Sequence, residues 1–157
     1  MGFRGTKGKV EVGEMAPDFK LLSHSGEEVG LKDFVDKKVV VLFFYPKDDT
    51  SGCASDACTF RDSYEQFEVL EAEVIGISSD SVGSHERFAE NYDLSFTLLS
   101  DEKGEARKLY VVPNTLGIFP SRVTYVIDKE GVVRHVFSSQ FGASRHVEEV
   151  LTALRGS

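Results

Sequence analysis

The sequence has few cysteines and no long apolar run. Its longest apolar stretch, VVVLFFY at residues 39–45, is far short of the roughly 20 residues that a membrane-spanning helix needs. No signal-peptide pattern opens the chain. Only two cysteines occur among 157 residues, too few to cross-link a small secreted domain. We therefore expect a soluble chain that works without a membrane, in a compartment where thiols stay reduced and serve chemistry.

Basic residues are also scarce, and they are scattered along the chain. The sequence has 18 Lys and Arg against 26 Asp and Glu, which gives a net charge of -8. Nucleic-acid binding depends on Lys and Arg that neutralise phosphates, so we expect no nucleic-acid partner. The spacing between the cysteines is not a usual metal-ligand spacing, and no histidine lies near them in sequence. We predict neither a metal nor another cofactor.

Strand-like and helix-like segments alternate along the chain. Residues 1–157 suit a single domain, and we expect residues 1–9 to be a flexible N-terminal segment. We predict strands over 38–45, 72–78, 96–100, 122–128 and 132–137, and helices over 53–70, 84–92, 102–110 and 145–154. Ser84 and Ser144 are predicted helix caps. This pattern indicates an α/β domain, a mixed sheet with helices on both faces.

The segment YPKDDTSGCASDAC, residues 45–58, contains both cysteines. At about 100° per residue, Cys53 begins the apolar stripe of the predicted helix, and Cys58 lies about 140° away beside Arg61. The helix radius and rise place the two Cα atoms roughly 8.7 Å apart, beyond the ~7 Å limit for a disulfide. A bond between the two cysteines therefore requires the first turns to unwind.

The start of a helix is a position that favours a thiolate. The first N–H groups of a helix lack internal partners, and the macrodipole is positive there, so the pKa of a thiol such as that of Cys53 is expected to fall. The hydroxyl of Thr50, on the loop before the thiol, is a candidate for stabilising a transition state. An inert core cysteine, a general thiol-disulfide oxidoreductase and a redox-regulated binding protein remain alternatives.

A longer pattern around the first cysteine is distinctive. FFYPKDDTSGC resembles the PxxxTxxC active-site loop of peroxiredoxins, with Pro46, Thr50 and Cys53 at its three fixed positions. The second cysteine, followed by TFRDSYEQF, is similar to the peroxiredoxin Q or bacterioferritin comigratory protein subfamily. The resemblance extends through APDF (16–19), FTLLSDE (96–102) and PSRVTYVIDKEGVV (120–133). Plastid-type members are the most similar.

The resemblance implies a thioredoxin-like fold and a thiol peroxidase that reduces hydrogen peroxide and organic hydroperoxides. Cys53 is then the peroxidatic residue, and Cys58 resolves it through an intramolecular disulfide. Pro46 shields the thiol, Thr50 orients the peroxide, and Arg122 supplies positive charge. The implied reductant is thioredoxin or a similar dithiol protein, and the implied state is a monomer. The implied location is the chloroplast, in a mature form without transit peptide, or alternatively a bacterial cytoplasm.

The sequence departs from the family pattern in two places. Ser51 stands where the family usually has proline. Residues 111–120 form a shorter segment than in plastid members, and Tyr110 stands just before it, where a tryptophan is often found. Proline pre-sets the first turn of a helix, whereas serine can cap it. We expect the first departure to affect loop rigidity and rate, and the second to affect substrate preference.

Overall fold

The structure is a computed structural model. It describes residues 10–45, 51–110, 114–115, 119–120, 122–139 and 143–155. Side chains are described for these residues except 51–56, 114–115, 119–120, 122, 138–139 and 143–146. The predicted N-terminal segment 1–9, Pro46 and Thr50 lie outside the described residues.

The helices and strands alternate much as the sequence predicts. The strands are β1 (Lys20–Ser23), β2 (Glu28–Gly30), β3 (Val39–Phe44), β4 (Ala72–Ser78), β5 (Thr97–Ser100), β6 (Asn114–Thr115), β7 (Phe119–Pro120), β8 (Arg122–Ile127) and β9 (Val133–Ser139). The helices are α1 (Ser51–Asp62), α2 (Tyr64–Val69), α3 (Val82–Tyr92), α4 (Glu105–Leu109) and α5 (Ala143–Arg155), with a 3-10 turn at Leu31–Asp33.

Seven strands form one mixed sheet in the order β2-β1-β5-β4-β3-β8-β9. Strands β3, β4 and β5 run parallel, while β1 and β8 pair antiparallel with β5 and β3. Strand β3 lies inside the sheet, and residues 40–44 are at most 3% exposed. This burial on both faces explains why the strand is apolar throughout rather than alternating. The short strands β6 and β7 pair with each other in a separate two-stranded sheet.

Each face of the sheet has its own core. Because successive strand side chains point to opposite faces, Val41 and Phe43 pack on one side and Val40 and Leu42 on the other. The first side is covered by apolar residues of α1, α2, α3 and α5. The second side is covered by α4, the 3-10 turn and the chain before β1. The predicted mixed sheet with helices on both faces is confirmed.

The long helix predicted over residues 53–70 is interrupted. Helix α1 ends at Asp62, and Ser63 has φ -100° and ψ 6°, away from the helical values of about -63° and -42°. Its N–H donates to the carbonyls of both Thr59 and Phe60 at 3.2 Å. Serine is a weak residue in a helix interior because its side chain competes for backbone groups. The apolar stripe nevertheless continues into α2.

The two predicted caps are both wrong. Ser81 caps α3, because its extended backbone lets its Oγ accept the N–H of Ser84 at 3.1 Å. Helix α5 already begins at Ala143, so Ser144 lies within it.

The charged helix predicted over 102–110 is also shorter, because residues 102–104 form a turn. There the Asp101 carboxylate accepts the N–H groups of Ala106 and Arg107 at 3.0 Å.

Candidate active site

The first cysteine lies near the start of helix α1, which follows strand β3 in the chain. Strand β3 ends at Phe44, Tyr45 is buried, and α1 begins at Ser51 after residues 46–50. Cys53 is the third residue of α1. Its backbone N–H is therefore among the four that have no partner within a helix, at the positive end of the helix dipole. The backbone thus provides the setting that the sequence predicts for a thiolate.

The second cysteine lies in the same helix. Cys58 is a free, half-buried thiol between buried Ala57 and buried Phe60. Because both cysteines are in α1, the helix radius and rise again place their Cα atoms roughly 8.7 Å apart. A disulfide needs a separation below ~7 Å. The helix must therefore unwind before the two sulfur atoms can bond.

Aromatic rings support α1 from below. Phe60 packs on Phe43 with ring centroids 4.9 Å apart, and Phe43 stacks on Tyr45 at 5.4 Å. Tyr45 in turn contacts the rings of His85 and Phe88 at 6.4 and 6.3 Å. The helix period predicts a stripe of Ala57, Phe60, Tyr64 and Phe67. It is confirmed, since Tyr64 is partly buried against the core and the other three residues are at most 3% exposed. The C-terminal half of α1 consequently packs on a cluster of aromatic side chains.

The sheet brings the start of β8 to the end of β3. Val123 lies opposite Phe44 in the antiparallel pairing of these strands, and Arg122 is the first residue of β8. Arg122 follows Cys53 by 69 residues, yet its backbone is placed at the end of the sheet where the β3–α1 connection begins. No sequence spacing predicts this placement.

Arg61 is a residue whose contacts the sequence did not reveal. Its Nη1 donates to the carbonyl of Tyr92 at 2.7 Å, and its Nε donates to Asp62 at 3.0 Å. The hydrogen bond to Asp62 raises the pKa of Arg61, burial opposes this, and the nearby Cys58 sulfur adds to the rise. The helix period places Arg61 beside Cys58, but no pattern in the sequence indicates its bond to Tyr92.

A second aromatic group supports β3 from the opposite face. Tyr110 and Tyr125 are buried, and their rings lie 5.5 and 5.9 Å from that of Phe44. The Tyr110 hydroxyl donates to the carbonyl of Pro17 at 2.6 Å, and the Tyr125 hydroxyl donates to the carbonyl of Tyr110 at 3.1 Å. Burial raises the pKa of Tyr125 to about 12 and also raises that of Tyr110. Both phenols stay neutral and serve packing.

Two of the described histidines bind backbone groups. His85 is buried, and its Nε2 donates to the carbonyl of Leu99 at 2.9 Å. The Nδ1 of His24 accepts the N–H of Leu98 at 3.2 Å. Within the part of the chain that the structure describes, no group of three His, Cys, Asp or Glu side chains is arranged to hold a metal ion. Over the same residues, no helix combines the length and apolar character needed to cross a bilayer.

Comparison with known proteins identifies the family of this chain. Residues 12–136 match the AhpC/TSA family. The chain belongs to this family. It is 50% identical over 148 residues to the chloroplastic peroxiredoxin Q of Sedum lineare, covering 94% of this chain and 79% of that protein. The peroxiredoxin Q resemblance predicted from the sequence is thereby confirmed.

Solved structures agree with this assignment. The peroxidoxin BcpB of Mycobacterium tuberculosis superposes with a TM-score of 0.87 at 35% identity, covering 94% of this chain and 97% of that one. A Xanthomonas campestris bacterioferritin comigratory protein, studied for alkyl peroxide reduction, has a TM-score of 0.82 at 26% identity, covering 95% and 98%. The thioredoxin-like fold is confirmed, while the roles of individual residues stay predictions.

Proposed function

We propose that this chain reduces hydrogen peroxide and organic hydroperoxides, with Cys53 as the peroxidatic residue and Cys58 as the resolving one. One observation carries the proposal: both cysteines lie in α1, Cys53 in its first turn and Cys58 farther along. This arrangement puts the backbone of Cys53 at the positive end of the helix dipole and, by helix geometry, keeps the two Cα atoms beyond disulfide distance, which supports the two roles. Membership of a peroxidase family gives the two thiols their chemistry.

In the first step, the Cys53 thiolate attacks the terminal oxygen of the hydroperoxide. A sulfur–oxygen bond forms, the O–O bond breaks, and the departing oxygen takes up a proton as an alcohol or water. Cys53 is oxidised to a sulfenic acid and the peroxide is reduced. Thr50, Arg122 and backbone N–H groups stabilise the charge that develops on the oxygens, and Pro46 shields the thiol.

In the second step, Cys58 resolves the sulfenic acid. The start of α1 unwinds, the Cys58 sulfur attacks the Cys53 sulfur, and hydroxide leaves as water with the thiol proton. An external thioredoxin-type dithiol then reduces the disulfide by exchange and is itself oxidised. The separation of the two thiols in the helix acts as a switch, because Cys58 reacts only after Cys53 has been oxidised.

The same relatives support a proposal for the location and the substrates of the reaction. The curated relatives are named chloroplastic, which supports a plastid location, and a bacterial cytoplasm would suit the same chemistry. Alkyl peroxide reduction by the Xanthomonas campestris relative supports organic hydroperoxides as substrates. We further propose that the chain acts as a single-domain monomer without a nucleic-acid or membrane partner.

The decisive experiment is the intact mass of the reduced protein, taken within seconds of adding one equivalent of hydrogen peroxide. A loss of about 2 Da is expected, because both thiols join in a disulfide. A gain of about 16 or 32 Da would show that Cys58 does not resolve Cys53. An unchanged mass would favour the redox-regulated binding protein. Turnover of protein disulfides without turnover of peroxide would favour a general thiol-disulfide oxidoreductase.

A further inference from the structure

We propose that Arg61 is a positioning residue for the resolving step: it latches the Cys58 half of α1 to the end of α3 and so restrains the unwinding that disulfide formation needs. The inference rests on the proposed peroxidase cycle. It adds to that cycle a residue that sets how long the sulfenic acid survives.

The latch consists of a hydrogen bond between two helices. The Nη1 of Arg61 donates to the carbonyl of Tyr92, the last residue of α3, at 2.7 Å. Carbonyls in the last turn of a helix accept no N–H group from within that helix, and this end of the helix dipole is negative. Asp93 ends α3 in a left-handed conformation, with φ 52°. A cation donating to this carbonyl therefore satisfies both the hydrogen bond and the dipole.

A second contact fixes the orientation of the guanidinium. Its Nε and Nη2 lie 3.0 and 2.9 Å from the same carboxylate oxygen of Asp62. The Arg61 side chain is only 32% exposed. Its guanidinium contacts Asp62 of α1 on one side and the Tyr92 carbonyl of α3 on the other. The bonds to Asp62 and to the Tyr92 carbonyl together fix the orientation of the guanidinium.

The position of the latch relative to Cys58 gives it a kinetic role. Arg61 follows Cys58 by three residues, less than one turn. Ala57 and Phe60 hold the same segment to the core, and Arg61 holds its outer side. Unwinding that moves Cys58 toward Cys53 must strain these contacts. Removing the latch lowers the free energy of opening and leaves the apolar contacts in place.

Opening competes with a second oxidation. The Cys53 sulfenic acid either reacts with Cys58, giving a disulfide and water, or reacts with another peroxide, giving a sulfinic acid and an alcohol or water. The share of each product depends on how fast α1 opens. A tighter latch lengthens the life of the sulfenic acid, and a looser latch protects Cys53 from further oxidation.

The test compares Arg61→Gln with the matched control Arg155→Gln. Arg155 also makes an interhelix hydrogen bond, to Gln66 at 2.7 Å, but this bond does not involve α1. Rapid-quench intact mass follows the conversion of sulfenic acid to disulfide, a loss of about 18 Da. We expect the R61Q variant to resolve roughly three- to tenfold faster, the factor for loss of one ordinary hydrogen bond of a partly exposed side chain. R155Q should resolve at the wild-type rate.

Two further readouts separate a positioning role from a merely structural one. In R61Q, the peroxide concentration at which half of Cys53 ends as sulfinic acid should rise by the same factor. The rate of the first oxidation of Cys53 should change little. Arg61→Lys, which keeps one donor, should give intermediate values. Resolution in R61Q that is unchanged or slower than in the wild type overturns the proposal.

Hydrogen exchange in the reduced protein makes the latch testable even if the peroxidase cycle is wrong. We expect the amides of residues 57–62 to exchange faster in R61Q than in wild type and R155Q. Equal exchange in all three proteins would refute the latch. Failure of wild type to form any sulfenic acid would refute the peroxidase cycle instead, so the two failures are distinguishable.

Discussion

Val123 lies opposite Phe44 in the antiparallel pairing of β3 with β8. This pairing places the beginning of β8 at the end of the sheet where β3 leads toward α1. Two segments far apart in sequence thereby contribute to one end of the molecule. The proposed roles of Cys53 and Arg122 depend on this register, because a different register would shift Arg122 along the strand.

Arg122→Gln should slow the reaction of Cys53 with peroxide. Loss of one donor that stabilises developing negative charge in a transition state costs about 10²–10³ in rate. The rate constant is measured by stopped-flow loss of the Cys53 thiol under excess hydrogen peroxide. Arg134→Gln is the matched control. Strands β8 and β9 form an antiparallel hairpin, and Arg134, which is 56% exposed, pairs with Asp128 near the end of that hairpin away from Arg122. Equal rates in R122Q and R134Q would contradict the assigned role.

Cys58→Ser should preserve a single turnover and abolish recycling. Without the second thiol, the sulfenic acid of Cys53 has no internal partner, so thioredoxin-dependent turnover stops after one equivalent of peroxide. The measurement combines intact mass, with an expected gain of about 16 or 32 Da, and a coupled turnover assay. Cys53→Ser should fail in both assays. Full recycling in C58S would exclude Cys58 as the resolving residue.

Ser51→Pro should stabilise the helix start and slow resolution. Ser51 is the first residue of α1, a position where proline has the right φ and loses no intrahelical hydrogen bond. A compatible proline stabilises a fold by about 0.4–1 kcal/mol, which corresponds to roughly two- to fivefold slower opening. Urea unfolding and the rapid-quench assay measure the two effects, with Ser51→Ala as the control. Faster resolution in S51P would show that opening does not begin at this end.

Stability should fall at alkaline pH. Burial raises the pKa of Tyr125 to about 12 from an ordinary value of 10.0, and burial also raises that of Tyr110. Below the unfolded pKa both states keep the phenol proton, so this contribution to stability is complete. Above it the unfolded chain loses the proton first, and the free energy of unfolding declines as the pH rises toward the folded pKa. Urea unfolding at a series of pH values measures this slope.

Tyr125→Phe provides the control for this titration. The variant loses the hydrogen bond to the Tyr110 carbonyl, so it should be less stable at neutral pH by about 1 kcal/mol. The free energy of unfolding of this variant should nevertheless fall less steeply between about pH 10 and about pH 12, because one buried phenol is gone. An equally steep decline would assign the alkaline effect to other groups.

Local patterns were predicted well where one physical rule decided the outcome. Strand β4 has the bounds predicted from its apolar run, and the buried stripe of α1 and α2 follows from the helix period. The helix ends were predicted less well. Ser81 and Ser84 are both plausible caps by residue type, and only the backbone conformation of Ser81 decides between them. The break at Ser63 was not predicted either, because the apolar stripe continues across it.

The sequence by itself determined the two thiols and their relationship, because five residues of helix fix the rotation and rise between Cys53 and Cys58. It also carried the family pattern, from which the proposed chemistry follows. Tertiary structure alone decided which distant segments come near that helix. The β3–β8 register places the backbone of Arg122 at the end of the sheet from which β3 leads toward α1, and the packing of α1 against α3 brings Arg61 to Tyr92. Such contacts depend on how whole elements pack, and no local periodicity in the sequence encodes them.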